Sequence, residues 1–238
     1  MVEISRLQKF ITLGGKQKNL PMHIAIGTGP VKAWAEDKKK DAAEAIKSHF
    51  AVIDELIDFQ LKNQVRVLTI NLVDESPEMI AALKEYFSGL HLDERINKNQ
   101  VRVFVIGQWY ELDADLSDMF KLAMEKTMLY DNFFLNFCVK YSGREEVMGS
   151  LRLMARKVFS GKMKEDEIQE GQVKENLYSS YFPPPELIIE CSRAYSGTLL
   201  WDSPGAVIYF TEKRWPVFDK RDLDEAVSFY DRNINKDE

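Results

Sequence analysis

Apolar residues recur along this chain in two alternating periods. Short continuous runs predict buried strands at Met22 to Gly27, Val65 to Val73, Val101 to Ile106, Phe133 to Val139, Leu187 to Ile189 and Ala206 to Phe210. Between them, apolar positions fall at helical spacing. Ala43, Ile46, Phe50, Ile53, Ile57 and Leu61 predict one long helix from about Ala35 to Leu61. Leu116, Phe120, Ala123 and Met124 predict another over Asp113 to Leu129, and Val147, Leu151, Met154 and Val158 a third. Leu223, Ala226, Val227 and Tyr230 mark the inward face of a last helix that runs to about Asp231.

Local chemistry sets several boundaries. Ser76-Pro77-Glu78 opens a helix that reaches about Leu90: the hydroxyl caps, proline fits the first helical position, and the carboxylate suits the dipole. Ser142-Gly143-Arg144-Glu145 has the spacing of a capping box, and Asp219 is placed to cap the last helix. Pro183-Pro184-Pro185 must be extended. Ile4 to Leu13, with apolar residues at 4, 7, 10, 11 and 13, reads as a short amphipathic helix packed on the body, or as a surface-seeking one. Strands alternating with helices imply one α/β domain over residues 1–238, with a mostly parallel six-stranded sheet covered by helices on both faces.

Composition narrows the picture. A net charge of −6 and a pI near 5.3 exclude a general nucleic-acid binder, which would carry a basic face. Two cysteines, Cys138 and Cys191, are too few for a disulfide framework and sit in apolar runs, so buried reduced thiols are expected. A charged start and the lack of an apolar run near roughly 18 residues predict neither signal peptide nor membrane span, hence a cytoplasmic chain at most peripheral to a membrane. Lys38-Lys39-Lys40 and the Asp113, Asp115, Asp118 run read as solvated helix surface rather than as a phosphate clamp and a metal site.

The stretch Leu20 to Ala35 carries the candidate chemistry. A buried strand breaks at Gly27-Thr28-Gly29-Pro30 and gives way to a helix, which is where α/β proteins bind anions on free backbone N–H groups.

Two blocks then resemble the cis-prenyltransferases, the family of undecaprenyl diphosphate synthase. One is Pro21-x-His23-Ile24-Ala25-Ile26 followed by Trp34-Ala35. The other is Leu199-Leu200-Trp201, Ile208-Tyr209-Phe210-Thr211 and Trp215-Pro216-x-Phe218. Tyr141-Ser142-Gly143-Arg144 and Pro183-x-Pro185-Glu186-Leu187-Ile188-Ile189 are similar to two further motifs between them. The resemblance implies condensation of isopentenyl diphosphate onto an allylic diphosphate with Mg²⁺. It calls for a metal-holding carboxylate, arginines for two diphosphates, a donor-rich turn and an apolar tunnel.

Position by position, that charged machinery is missing. The family's Asp-Gly-Asn-x-Arg-Trp-Ala falls on Gly29, Pro30, Val31, Lys32, Ala33, Trp34 and Ala35. An anion-binding arginine falls on Glu190, and the second metal-site glutamate on Val207. Arginine of the next helix falls on Ala42, the family's mobile loop is cut to Asp74-Glu75-Ser76-Pro77, and the terminal Arg-x-Gly is absent. Each lost charge-assisted contact costs about 2–4 kcal/mol of transition-state stabilisation, or 10²–10³ in rate, so catalytic residues are expected to be none.

The resemblance therefore points to the non-catalytic, Nogo-B receptor-type subunit of a heteromeric cis-polyprenyl diphosphate synthase. Such a chain needs no cofactor of its own, Mg²⁺ belonging to its partner. The implied partner is a catalytic homologue in a heterodimer or heterotetramer, with a homodimer possible alone. Trp201, Tyr209, Phe210, Trp215 and Phe218 are interface candidates that fit core equally well. His23, Trp34, Phe50, Ile53, Ile57 and Leu83 are candidates for substrate contact: the apolar ones line a remnant lipid tunnel, pack as core or fill a former tunnel with large side chains, and His23 is either a ligand or a structural histidine. A homodimeric isoprenoid-binding protein and a weakly active transferase remain as alternatives.

Overall fold

The computed structural model describes residues 19–73 and 75–234, the side chains of Lys32, Ala33 and Ala43 excepted. The proposed Ile4 to Leu13 helix, Asp74 of the shortened loop and the last four residues lie outside the described residues.

Six strands form one sheet: β1 (His23–Gly27), β2 (Val67–Leu72), β3 (Val101–Ile106), β4 (Phe133–Val139), β5 (Leu187–Glu190) and β6 (Val207–Phe210). Their order is β3-β4-β2-β1-β5-β6. Every pairing is parallel, with Ile26 opposite Ile70 on one side and Ile189 on the other. All strand carboxyl ends therefore lie along one edge, where open α/β sheets bind ligands. Nearly every residue of β1, β2, β4 and β5 is buried, as a sheet covered on both faces requires.

The helices are α1 (Val31–Asp37), α2 (Ala42–Asn63), α3 (Pro77–Leu90), α4 (Glu94–Lys98), α5 (Ala114–Lys126), α6 (Gly143–Phe159), α7 (Glu170–Glu175) and α8 (Lys220–Asn233). Ile24, Ile26 and Ile70 face the larger apolar cluster, shared with Ile53 and Ile57 of α2, Leu83 and Phe87 of α3, Phe120 of α5 and Leu223 of α8. Ala25, Cys138 and Ile188 face the other way, toward Leu199, Tyr141 and Tyr178.

The long helix expected from Ala35 to Leu61 is two helices. Lys39 adopts φ +51°, and Asp41 starts α2 by accepting from the Glu44 amide at 2.9 Å. Lys38, Lys39 and Lys40 thus occupy the break rather than a helical turn, so they do not oppose a dipole. Ser76 and Asp219 cap as expected, and Asp219 pairs with Asp222 in a capping box. The box expected at Ser142 and Glu145 does not form: the Ser142 side chain makes no capping bond. The next residue, Glu146, turns inward instead and takes the Ser179 amide at 2.9 Å and the Tyr141 hydroxyl at 2.6 Å. Helices α4 and α7 were not legible as periodic runs, because each is too short to repeat.

Candidate functional site

The turn after β1 is tied to its neighbour. The Thr28 hydroxyl donates to the Asn71 carbonyl at 2.8 Å, and its amide reaches the same oxygen at 3.3 Å. Gly29 sits at φ +70°, a conformation that favours glycine, and a Cβ there would lie 3.3 Å from the Cys191 carbonyl. Pro30 begins α1 without a side-chain cap and contributes no N–H. Val31 is buried in the larger core.

A cavity of about 140 Å³ opens at this turn, lined by Thr28, Gly29, Pro30, Trp34, Asp37, Cys191, Arg214, Trp215 and Pro216. Two of its charged groups, Asp37 and Arg214, were missed in the sequence. Arg214 directly precedes the Trp215-Pro216 pair, which is the signal that could have found it. Lys40 holds its ammonium 5.2 Å from the Trp34 ring centroid, which leaves Trp34 half-buried at the rim.

Glu190 is the unexpected group. It ends β5, fully buried, with its carboxylate turned toward β1. Oε1 accepts the Ser196 amide at 3.0 Å and the Ser196 hydroxyl at 2.8 Å. Ser196 in turn meets Thr198 at 2.6 Å, and Thr198 accepts from Asn71 at 2.8 Å. Oε2 is buried without a hydrogen-bond partner. A Cβ on Gly27 would fall 2.4 Å from it, so the glycine and the carboxyl fit each other. Burial raises the Glu190 pKa, against the pull of the two Ser196 bonds.

His23 lies at the amino end of β1, away from the ligand edge. Its ring nitrogens meet the Pro183 carbonyl and the Thr69 hydroxyl, each at 2.8 Å, and burial holds its pKa down at about 4. That makes it a structural histidine and corrects its place among the substrate-contact candidates. Ile53, Ile57 and Leu83 are fully packed. Phe50 meets Tyr86, and Phe87 packs edge-on against Phe120 and Phe137, so aromatic rings occupy the space between α2, α3 and the sheet. This packing matches core or a filled tunnel and leaves no open tunnel at these residues.

The interface candidates divide. Trp215 is 0% exposed, donates to the His49 carbonyl at 3.2 Å and stacks on the buried Phe218, so both are core. Tyr209 is half-buried against Phe229, and Trp201 against Met154, Val173 and Leu177. Phe210 is 48% exposed on β6, an outer strand of the sheet. Val207 packs partly on the larger core. On α6, Met148, Leu151 and Phe159 are exposed, the last at 95%.

Both cysteines are free and buried, with pKa values raised by desolvation. Asp113 caps α5 and pairs with Lys84 at 2.8 Å, as a solvated helix start would. Among the described residues no three His, Cys, Asp or Glu side chains converge. Among the described residues lining the cavity Asp37 alone carries a carboxylate, Glu190 beside it is buried on Ser196, and Val207 carries none, so this donor set does not fit the Mg²⁺ that the family resemblance implies. No helix among the described residues is long and apolar enough to cross a membrane.

Residues 31–236 match the family described as putative undecaprenyl diphosphate synthase. The chain is 31% identical over 223 residues to a tritrans,polycis-undecaprenyl-diphosphate synthase (geranylgeranyl-diphosphate specific) of Thermoplasma volcanium, covering 89% of this chain and 86% of that one. It is 29% identical over 237 residues to an isoprenyl transferase of Leptospira interrogans, covering 94% and 97%. The fold is similar to that of lavandulyl diphosphate synthase from Lavandula x intermedia, solved in complex with dimethylallyl diphosphate, at a TM-score of 0.81 and 24% identity over 89% of this chain and 95% of that one.

Proposed function

Since the chain belongs to the cis-prenyltransferase family, we propose that it serves polyprenyl diphosphate synthesis as a non-catalytic subunit, paired with a homologue that carries the charged site. One observation carries this reading: the edge that should receive a diphosphate presents Gly29, a proline without an N–H, and a buried glutamate in place of an arginine. A carboxyl there repels phosphate when ionised and supplies no cation when neutral. The position matching the second metal carboxylate is Val207, opposite Leu187 at the amino end of β6, and it carries no charge. No step of a condensation is assigned to residues of this chain.

The partner surface in this reading is the outer face of β6 with Phe210 and the half-buried Tyr209, continued by Trp201 and the exposed apolar positions of α6. Aromatic and methionine side chains on such a face are what protein interfaces select. Cytoplasmic placement belongs to the same proposal.

A second reading, a weakly active transferase, has Asp37 and Arg214 at the cavity mouth and the synthase names of the relatives in its favour. One experiment separates the two. The chain is co-expressed with a homologue bearing Asp-Gly-Asn and Arg-x-Gly motifs, and pull-down and prenyl elongation are measured for the pair and for each chain alone. A complex with raised elongation, and none from this chain alone, is the expected outcome. Absence of any complex sinks the subunit reading, and Mg²⁺-dependent elongation by the lone chain establishes the other.

A further inference from the structure

One short segment joins the ligand edge to the face of the protein that carries Trp201. It runs from Ser196 to Asp202 and belongs to no strand or helix. Side chains hold it at both ends. At the first, the Glu190 carboxyl accepts from the Ser196 amide and hydroxyl, and Ser196 and Asn71 both meet the Thr198 hydroxyl. At the second, buried Asp202 takes the Ser179 hydroxyl at 2.9 Å and pairs with Lys174, while Trp201 packs on Met154, Val173 and Leu177. Between the ends the backbone is strained. Gly197 sits at φ +82° and Leu199 at φ +51°. Of the non-glycine residues with positive φ among those described, Lys39, Gln64, Gln100 and Lys140 are polar, and Leu199 alone is apolar and buried. Leucine is disfavoured in the left-handed region, so its surroundings must hold it there.

We propose that residues 196–202 are a strained strap that couples the ligand edge to the Trp201 face: when Ser196 lets go of Glu190, Leu199 relaxes out of the left-handed region and Trp201 shifts on α6 and α7. The edge end of the strap is reachable, because Ser196 is exposed while the carboxyl behind it is buried. Its middle cannot absorb a change by sliding, because α6 abuts it: a Cβ on Gly143 would collide with the Gly197 carbonyl oxygen and the Leu200 Cβ. The Asp202 amide closes a turn on the Leu199 carbonyl at 2.9 Å, so rotation at Leu199 carries Trp201 with it. Such coupling is reciprocal, and a contact that fixes Trp201 also holds Ser196 against Glu190. That this contact is a subunit partner rests on the function proposed above; the strap itself does not.

The test uses the full chain labelled with fluorotryptophan, whose four tryptophans give four fluorine resonances. In Glu190→Ala the Trp201 resonance is expected to move and the Asp202 amide to exchange tenfold faster or more, with the Trp109 resonance and exchange in strands β2 to β4 unchanged as internal controls for folding. Ser196→Ala removes only the exposed hydroxyl. It is expected to move Trp201 the same way by less, and it carries the test if Glu190→Ala does not fold. Leu199→Gly separates a strained strap from a passive path of contacts: glycine has no strain to release, so adding Glu190→Ala or Ser196→Ala to it should leave Trp201 where Leu199→Gly alone puts it. An unmoved Trp201 resonance in the Glu190 and Ser196 variants overturns the proposal, and so does the same displacement with and without Leu199→Gly. Every readout is within the one chain, so none of these outcomes bears on whether it pairs with a catalytic homologue.

Discussion

Gly27→Ala should be costly for one reason only, the carboxyl of Glu190. The new Cβ would lie 2.4 Å from Oε2, 2.9 Å from the carboxyl carbon and 2.9 Å from the Ser196 hydroxyl oxygen. Such approaches do not occur, so something moves. A glutamate end is ordinarily free to swing away, but this one is buried and held by two hydrogen bonds from Ser196. Releasing them inside the protein costs about 1–1.5 kcal/mol each, and overpacking of this kind costs about 1–3 kcal/mol in total. Removing the obstacle reverses the sign. In a Glu190→Ala background the Ser196 oxygen is cleared by a rotamer change, and alanine in an extended strand narrows the unfolded ensemble by about 0.4–1 kcal/mol, so Gly27→Ala becomes neutral or mildly stabilising. The coupling between the two sites is therefore about 1–3 kcal/mol. Urea unfolding of wild type, both single variants and the double variant completes the cycle. Equal cost of Gly27→Ala in both backgrounds refutes the placement of the carboxyl against β1, and with it the account of why the ligand edge rejects phosphate.

Other measurements probe the rest of the structure. His23 has a folded pKa of about 4 against 6.5 unfolded, so the unfolded chain binds the extra proton between those values and stability rises with pH across that window, by about 3 kcal/mol from this residue; a His23→Gln variant should flatten that slope in urea titrations from pH 4 to 7. Glu190 and Glu146 have folded pKa values raised by burial above the ordinary 4.5, which runs the other way: their neutral forms favour folding, and the benefit is lost as pH climbs above 4.5 through each raised value. Glu190→Gln should reduce that decline at neutral pH, and an unchanged decline would show that the carboxyl is solvated. Trp215→Ala should cost about 3–5 kcal/mol in thermal or denaturant unfolding, as befits a core anchor, whereas Phe210→Glu should leave stability within about 0.5 kcal/mol and abolish capture of the catalytic homologue.

The sheet was legible because buried parallel strands write themselves as unbroken apolar runs, and all six appear within two residues of their expected ends. What escaped was decided by tertiary context. Nothing in Lys38-Lys39-Lys40 announces a left-handed residue at Lys39, although Asp41, three residues before Glu44, holds the signature of a helix start. Trp215 and Phe218 read equally as interface or core, since aromatic composition serves both and only burial tells them apart. The Ser142 side chain makes no cap, and the inward turn of Glu146 depends on Ser179, 33 residues on, which no local pattern announces. At the site, the missing charges could be read position by position, but the inward turn of Glu190 could not.

That last point changes what the substitutions mean. A site that had merely lost its arginine would keep an open, weakly attractive turn, and a single reverted residue would begin to restore it. Here the carboxyl has neighbours fitted to it: Ser196 donates twice, Thr198 and Asn71 continue the chain of bonds, and Gly27 leaves the room. Restoring an arginine at 190 would insert a longer, charged side chain among groups arranged for a short acceptor, beside a turn whose proline lacks an N–H. Glu190→Arg alone should therefore destabilise the fold without conferring affinity for inorganic pyrophosphate, measurable by calorimetry beside a urea titration. A stable variant that binds pyrophosphate would mean the pocket is still a phosphate site awaiting one charge, and the subunit reading would lose its main support.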